Sequence, residues 1–271
     1  MWRKRLPLLL ALAMAPALAA APAQPAAGPR VVALTADVAE IVLALDAQHL
    51  LVGRDKLARQ PQLAKVPEIG SSRALTPQPV LASKPDLVLG SDQAQPPAIY
   101  DQLQALGLKV GRIRHSEDPA AFADGIRQVG QALGQAGRAE QLAARWLKAL
   151  QPQAGKGKRV LFSYDGRLVA GSGTAGDAII RAAGAVNAAA DVQGFLPMTP
   201  EAWLRAAPDV VIVAAHNAPV FGSLAALKAR PELAGSPAVK ANRVLAWPAA
   251  DFLRLGVASP ATVQKLRALA S

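Results

Sequence analysis

Residues Val66–Gly90 read VPEIGSSRALTPQPVLASKPDLVLG, and the order of turns and apolar runs in this stretch decides the fold. Lys65–Ile69 reads as a strand leading into the loop Gly70-Ser71-Ser72-Arg73. Thr76-Pro77 then opens a short helix, and Lys84-Pro85-Asp86 turns the chain into the apolar run Leu87-Val88-Leu89. Thr ahead of Pro is a helix start, because Pro lacks only an N–H that has no partner in the first turn anyway. The loop falls at a strand's carboxyl end, where open α/β sheets hold their ligands. The same phrase returns as Thr199-Pro200-Glu201-Ala202-Trp203-Leu204, followed by Pro208-Asp209 and the apolar run Val210–Val213. One corner built twice predicts two similar lobes.

Outward from this corner, Arg30–Leu34, Leu50–Gly53, Asp86–Gly90 and Lys109–Ile113 read as buried strands, with helices at Val38–Leu45 and Ala98–Leu106 between them. Strand–helix alternation predicts a parallel sheet covered on both faces, here an N-terminal α/β lobe over 30–116. A periodic pattern follows from Asp118-Pro119 to Pro152 through Phe122, Ile126, Val129, Leu133, Leu142, Trp146 and Leu150, and predicts one long interlobe helix over 117–152. After the linker Gln153–Lys158 a second α/β lobe, 156–271, is expected, with strands at Arg159–Ser163, Leu168–Ala170, Val210–Ala214 and Val244–Ala246. The expected fold class is α/β: two Rossmann-like lobes joined by a long helix, with the ligand site between them.

Composition narrows the function. The 271-residue chain has no cysteine, which excludes disulfides, thiol catalysis, thiolate metal sites and a lipoprotein anchor. Its formal charge is +11, yet no basic stripe interleaved with aromatics appears, so no nucleic-acid partner is expected. Trp2-Arg3-Lys4-Arg5 is a basic leader and Leu6–Ala15 a short apolar run. Ala17-Leu18-Ala19 and Ala21-Pro22-Ala23 fit small-x-small cleavage sites. A signal peptide over 1–23, cleaved near 19–23, and a soluble periplasmic protein are expected. Loss of Arg3, Lys4 and Arg5 takes the charge from +11 to +8.

The residues that could carry chemistry are few. No G-x-S-x-G elbow and no H-E-x-x-H pair is present, so no enzyme is expected. Gly171-Ser172-Gly173-Thr174 stands ahead of a helix and can offer backbone N–H groups to an anion. The same run satisfies G-x-G-x-x-G, but Asp191 lies in a loop-like stretch and not at a strand end, which argues against a dinucleotide site. Arg73 can clamp a carboxylate. Glu201 reads as a solvated carboxylate at a helix start. Tyr164 and His216 each follow a strand and can face the cleft, while His49 and His115 read as turn residues.

The phrases Arg30-Val-Val-Ala-Leu34, Gly70-x-x-Arg73-Ala-Leu-Thr76, Val80-Leu-Ala-Ser-Lys-Pro-Asp-Leu-Val-Leu89, Pro96-Pro97, Val169-Ala-Gly-Ser-Gly-Thr174 and Pro200-Glu201 occur in order along nearly the whole chain. Together they resemble the substrate-binding proteins of ABC importers for haem, within the group for iron chelates and cobalamin. The resemblance implies a helical-backbone periplasmic binding protein with haem (hemin) as transported ligand and no intrinsic cofactor. It also implies an inner-membrane permease with its ATPase as partners. Where the family carries Gly-Tyr-x-Arg, with tyrosine on ferric iron, this chain has Ser71, so the ligand set becomes Arg73, Ser71, Ser72 and the glycine run, with iron ligation open to Tyr164 or His216. The vacancy keeps a second carrier reading open: another ferric chelate or a corrinoid. Permease docking, by the same resemblance, falls on Glu201 and on Gln78, which is neutral where the family has glutamate; Glu68 stands nearby.

Overall fold

The computed structural model describes residues 28–154 and 157–270; the expected signal peptide lies outside them. The N-lobe contains β1 (Val31–Ala33), α1 (Ala36–Ala44), β2 (Leu51–Arg54), α2 (Pro77–Ala82), β3 (Leu87–Ser91), α3 (Ile99–Ala105) and β4 (Lys109–Ile113). Its sheet is all parallel in the order β2-β1-β3-β4. All four strand ends therefore lie on one edge, which carries Thr35, Asp55, Asp92 and Arg114-His115. Val31–Leu34 is completely buried, as expected for a strand covered on both faces. The strand expected at Lys65–Ile69 is reduced to a single bridge between Arg54 and Glu68, because the flanking Pro67 has no N–H to extend a ladder.

The linking segment departs from one long helix. It folds as α4 (Pro119–Ala132) and α5 (Ala136–Ala149), packed back to back. Gly134 takes φ +70 at the turn, a conformation that L side chains avoid. At Gly130 an added Cβ would stand 2.0 Å from the Ala139 side chain, so the absence of a side chain lets the helices touch. The apolar positions all belong to a helical period, which is why the sequence reads through the break.

The C-lobe follows with β5 (Arg159–Ser163), β6 (Leu168–Ala170), α6 (Ala175–Ala182), β7 (Val186–Asn187), β8 (Phe195–Pro197), α7 (Pro200–Ala206), β9 (Val210–Ala214), α8 (Ala218–Phe221), α9 (Leu224–Lys228), α10 (Pro231–Ala234), α11 (Pro237–Lys240), β10 (Val244–Trp247) and α12 (Ser259–Ala270). Strands β10, β9 and β5 are parallel; β6 returns antiparallel and pairs with β8. The repeated corner keeps the same main-chain hydrogen bond, while the arginine side chain bonds one residue apart in the two copies. Asp86 accepts the Arg30 N–H at 2.8 Å, and Asp209 accepts the Arg159 N–H at 2.8 Å. Arg30 Nε donates to the Lys84 carbonyl and Arg159 Nε to that of Ala206. Lys84 and Ala207, at matching positions, both sit at positive φ (+47 and +37).

One core cluster runs from β1 and α1 through α4 and α5 into β5, α6 and α12. Trp146 of α5 anchors it: the ring lies 4.5 Å from Phe122 of α4, and Nε1 donates to the Gly256 carbonyl at 2.9 Å. The lobes thus share a hydrophobic centre beneath the cleft.

Candidate functional site: an interlobe cleft

Among the described residues, polar side chains join the segments beyond the strand ends of the two sheets on both flanks. On one flank Arg254, past β10, pairs with Glu40 of α1 at 2.7 Å. On the other, Glu117 accepts the Ala175 N–H at the start of α6 at 2.8 Å. A cavity of about 350 Å³ on this second flank is lined by Glu117 from one side and by Gly173, Phe195, Phe252 and Leu253 from the other.

Tyr164 stands at the end of β5, and its backbone is fixed from both sides. Its N–H donates to the Leu168 carbonyl, and its carbonyl accepts from Asn217 Nδ2 at 2.8 Å. Ser163 Oγ closes the turn by donating to Leu168 and accepting from the Gly166 N–H. The Tyr164 ring meets Phe195 edge-on, with centroids 6.3 Å apart, and His216 at 5.4 Å. His216 Nε2 lies 3.4 Å from the Tyr164 hydroxyl. The structure therefore joins two residues that the sequence holds 52 positions apart. Phe195, 39% exposed, and its neighbour Leu196, 53%, add an open apolar face. Sequence reasoning missed both, because Phe195-Leu196-Pro197 carries no strand pattern.

The Gly70–Arg73 loop is held from below by a buried carboxylate. Asp55 Oδ1 accepts N–H groups from Ser72 (3.0 Å) and Leu57 (3.1 Å). Ser72 is itself buried, and its carbonyl accepts from the Gln95 N–H. Its backbone is engaged in holding the loop, and the residue is only 7% exposed. Ser71 Oγ accepts from the Arg73 N–H at 3.3 Å. Arg73 is exposed, and so are Lys56, Arg59 and Arg114 beyond the ends of β2 and β4; none of the four makes an ion pair among the described residues.

The glycine run departs from expectation. The N–H of Gly171 donates to the Gly194 carbonyl, that of Ser172 to Val192, and that of Gly173 toward Asp177. Thr174 Oγ1 accepts the Asp177 N–H, capping α6. With these donors spent internally, Gly171-Ser172-Gly173-Thr174 is not an open anion nest. An added Cβ at Gly171 would lie 2.0 Å from the Val192 carbonyl, so that glycine serves backbone approach.

His115 is the other correction. It is no turn residue: Nδ1 lies 3.6 Å from Asp37 and Nε2 3.4 Å from Glu117, with 17% of its side chain exposed. At 3.6 Å the Asp37 contact is an ion pair, too long for a hydrogen bond. Asp37 and Glu117 outweigh partial burial and raise the His115 pKa to about 9. Burial works against charge on Asp37, but His115, Thr35, Ser91 and the Val38 N–H together hold its carboxyl below the ordinary value. His49 is exposed in a short helical turn, as expected.

At the outer corners, Glu201 is exposed in the first turn of α7; its own backbone N–H and Thr199 lower its pKa. Gln78 is exposed in α2. Glu68 is engaged with Arg54 at 3.3 Å. Among the described residues no group of three or more His, Asp or Glu could hold a metal ion, and no helix is long and apolar enough to cross a membrane.

Comparison with known proteins agrees with this arrangement. Among curated proteins none matches. Solved structures do: the periplasmic heme-binding protein RhuT from Roseiflexus sp. RS-1 in apo form has 32% identity and a TM-score of 0.75, covering 89% of this chain and 97% of its own. The periplasmic heme-binding protein BhuT, in complex with two hemes, has 33% identity and TM-score 0.75 over the same shares. HutB, the periplasmic heme-binding protein of Vibrio cholerae, has 29% identity and TM-score 0.78, covering 89% and 98%. These neighbours are substrate-binding proteins, not enzymes, and they share the two-lobe fold. With the periplasmic binding protein family model matching residues 31–250, this chain belongs to that family.

Proposed function

We propose that this protein is the substrate-binding component of an ABC importer, exported to the periplasm, which captures haem in the interlobe cleft and delivers it to an inner-membrane permease and its ATPase. The pairing of Tyr164 with His216 beside Phe195 carries this reading. A phenol oxygen and an imidazole nitrogen are both donors that hold haem iron, and Phe195 and Leu196 offer an apolar face to a flat ring. Tyr164 takes the iron in place of the family tyrosine that is Ser71 here, with His216 as the alternative donor. The unpaired cations Arg73, Lys56, Arg59 and Arg114 suit a ligand that carries carboxylates. The heme-binding neighbours support the same ligand class. Glu201 and Gln78 are the docking positions on the two lobes, and the neutral Gln78 makes the N-lobe contact the weaker one.

Titration with haemin tests this reading. The expected outcome is a shifted Soret band at micromolar protein, with Tyr164→Phe weakening binding by about tenfold or more, the loss of one charge-assisted contact. Undiminished binding by Tyr164→Phe would pass the iron to His216, to be checked with His216→Ala. Ser71 favours a second reading, a corrinoid or other ferric chelate. Tryptophan quenching by such a ligand, with no response to haemin, would select it.

A further inference from the structure

We infer that Glu117 is an interlobe latch that sets the width of the cleft and slows ligand release. Glu117 lies in the wall of the cleft, and its role as a latch rests on that cleft being the ligand site. Glu117 follows the last strand of the N-lobe sheet, yet its Oε2 accepts the first N–H of α6 in the C-lobe at 2.8 Å. Helix N-termini attract anions through their free N–H groups and dipole. Thr174 already takes the Asp177 N–H, so Glu117 completes the cap from the opposite lobe.

The other end of the latch is equally fixed. Glu117 Oε1 faces His115 Nε2 at 3.4 Å, and the opposite ring nitrogen faces Asp37, which is 7% exposed. The His115 N–H donates to Asp92 Oδ1 at 2.9 Å, fixing the backbone as well. From β3 and β4 to α6 the chain of contacts is unbroken. Across the cleft floor, Arg254 and Glu40 make the second tether. Glu117 also lines the cavity beside Phe195, Phe252 and Leu253. A ligand lying against Phe195 therefore meets the residue that joins the lobes, and the lobes cannot part on this flank without freeing the Ala175 N–H.

Two readouts on the full mature chain test the latch. Hydrogen exchange resolved at the Ala175 amide is compared between the parent, Glu117→Ala and Glu117→Gln, while stopped-flow haemin release is measured on the same proteins. In Glu117→Ala, Ala175 is expected to exchange about tenfold faster while Ile179 and Ile180 stay protected, with haemin release faster by a similar factor and association little changed. Glu117→Gln keeps an oxygen acceptor and is expected within about threefold of the parent in both. Unchanged Ala175 exchange in Glu117→Ala, or faster exchange without faster release, would overturn the latch. If Glu117→Ala does not fold, His115→Gln supplies the loosened state, and parent-like Ala175 exchange there also counts against it. Failure of the parent to bind haemin would sink the haem reading alone; the latch would then stand or fall on the exchange data and on release of whichever corrinoid or chelate the parent binds.

Discussion

His115 places a protonated imidazole between two carboxylates at the floor of the cleft, and that has a consequence for stability against pH. The unfolded histidine titrates near 6.5, whereas in the fold Asp37 and Glu117 raise it to about 9. Its contribution is therefore complete below about pH 6.5 and is lost as pH rises through about 9. Asp37 runs the opposite way: its pKa is lowered, so its contribution is present above about pH 4 and lost as pH falls through the folded value. The parent is expected to exceed His115→Ala by on the order of 2 kcal/mol at pH 6, shrinking toward pH 10. Denaturant midpoints over that range check it, and a difference independent of pH would show that packing and not charge supports His115. None of this was legible locally. Asp37 is 78 positions away in sequence, and Arg-His-Ser-Glu after a strand looks like any polar turn.

At the scale of elements, the contact of α4 with α5 rests on small residues. Gly130→Ala gains about 1 kcal/mol in helix propensity but places a methyl 2.0 Å from Ala139 Cβ. Overpacking wins, and a net loss of about 1–2 kcal/mol is expected in equilibrium unfolding. Gly137→Ala is the counterpart: it lies in α5, exposed, with nothing within 4 Å of an added Cβ. It is expected to gain about 0.5–1 kcal/mol. Equal effects of the two changes would mean that the helices do not approach at Gly130. Most of the longer strands and the Thr-Pro helices were legible because they depend on short-range pattern. The break at Gly134 was not, since glycine inside a helical period is tolerated and only the neighbouring helix decides which one turns.

For the molecule as a whole, the shared core predicts that the lobes unfold together. Trp146 is 2% exposed, with its indole N–H on the Gly256 carbonyl. Trp146→Phe leaves that carbonyl without its donor and is expected to cost about 1–3 kcal/mol in one cooperative transition. Two resolved transitions in the parent would contradict a core common to both lobes. Two flank tethers, Glu40–Arg254 and Glu117–Ala175, join the lobes above this core.

The sequence by itself determined the two α/β lobes, most of their longer strands, the repeated corner and the family, because these follow from local periodicity, turn chemistry and ordered motifs. It also singled out Tyr164 and His216, each at a strand end. Only the tertiary structure decided that these two meet, that the glycine run spends its N–H groups internally, and that Glu117, facing His115 within its own lobe, reaches the first N–H of α6 in the other. Strand-end patterns are written within about ten residues, whereas a site is made by sheet order. That order brings the ends of β5 and β9 within hydrogen-bonding reach, and the packing of one lobe on the other does the same for the end of β4 and the start of α6.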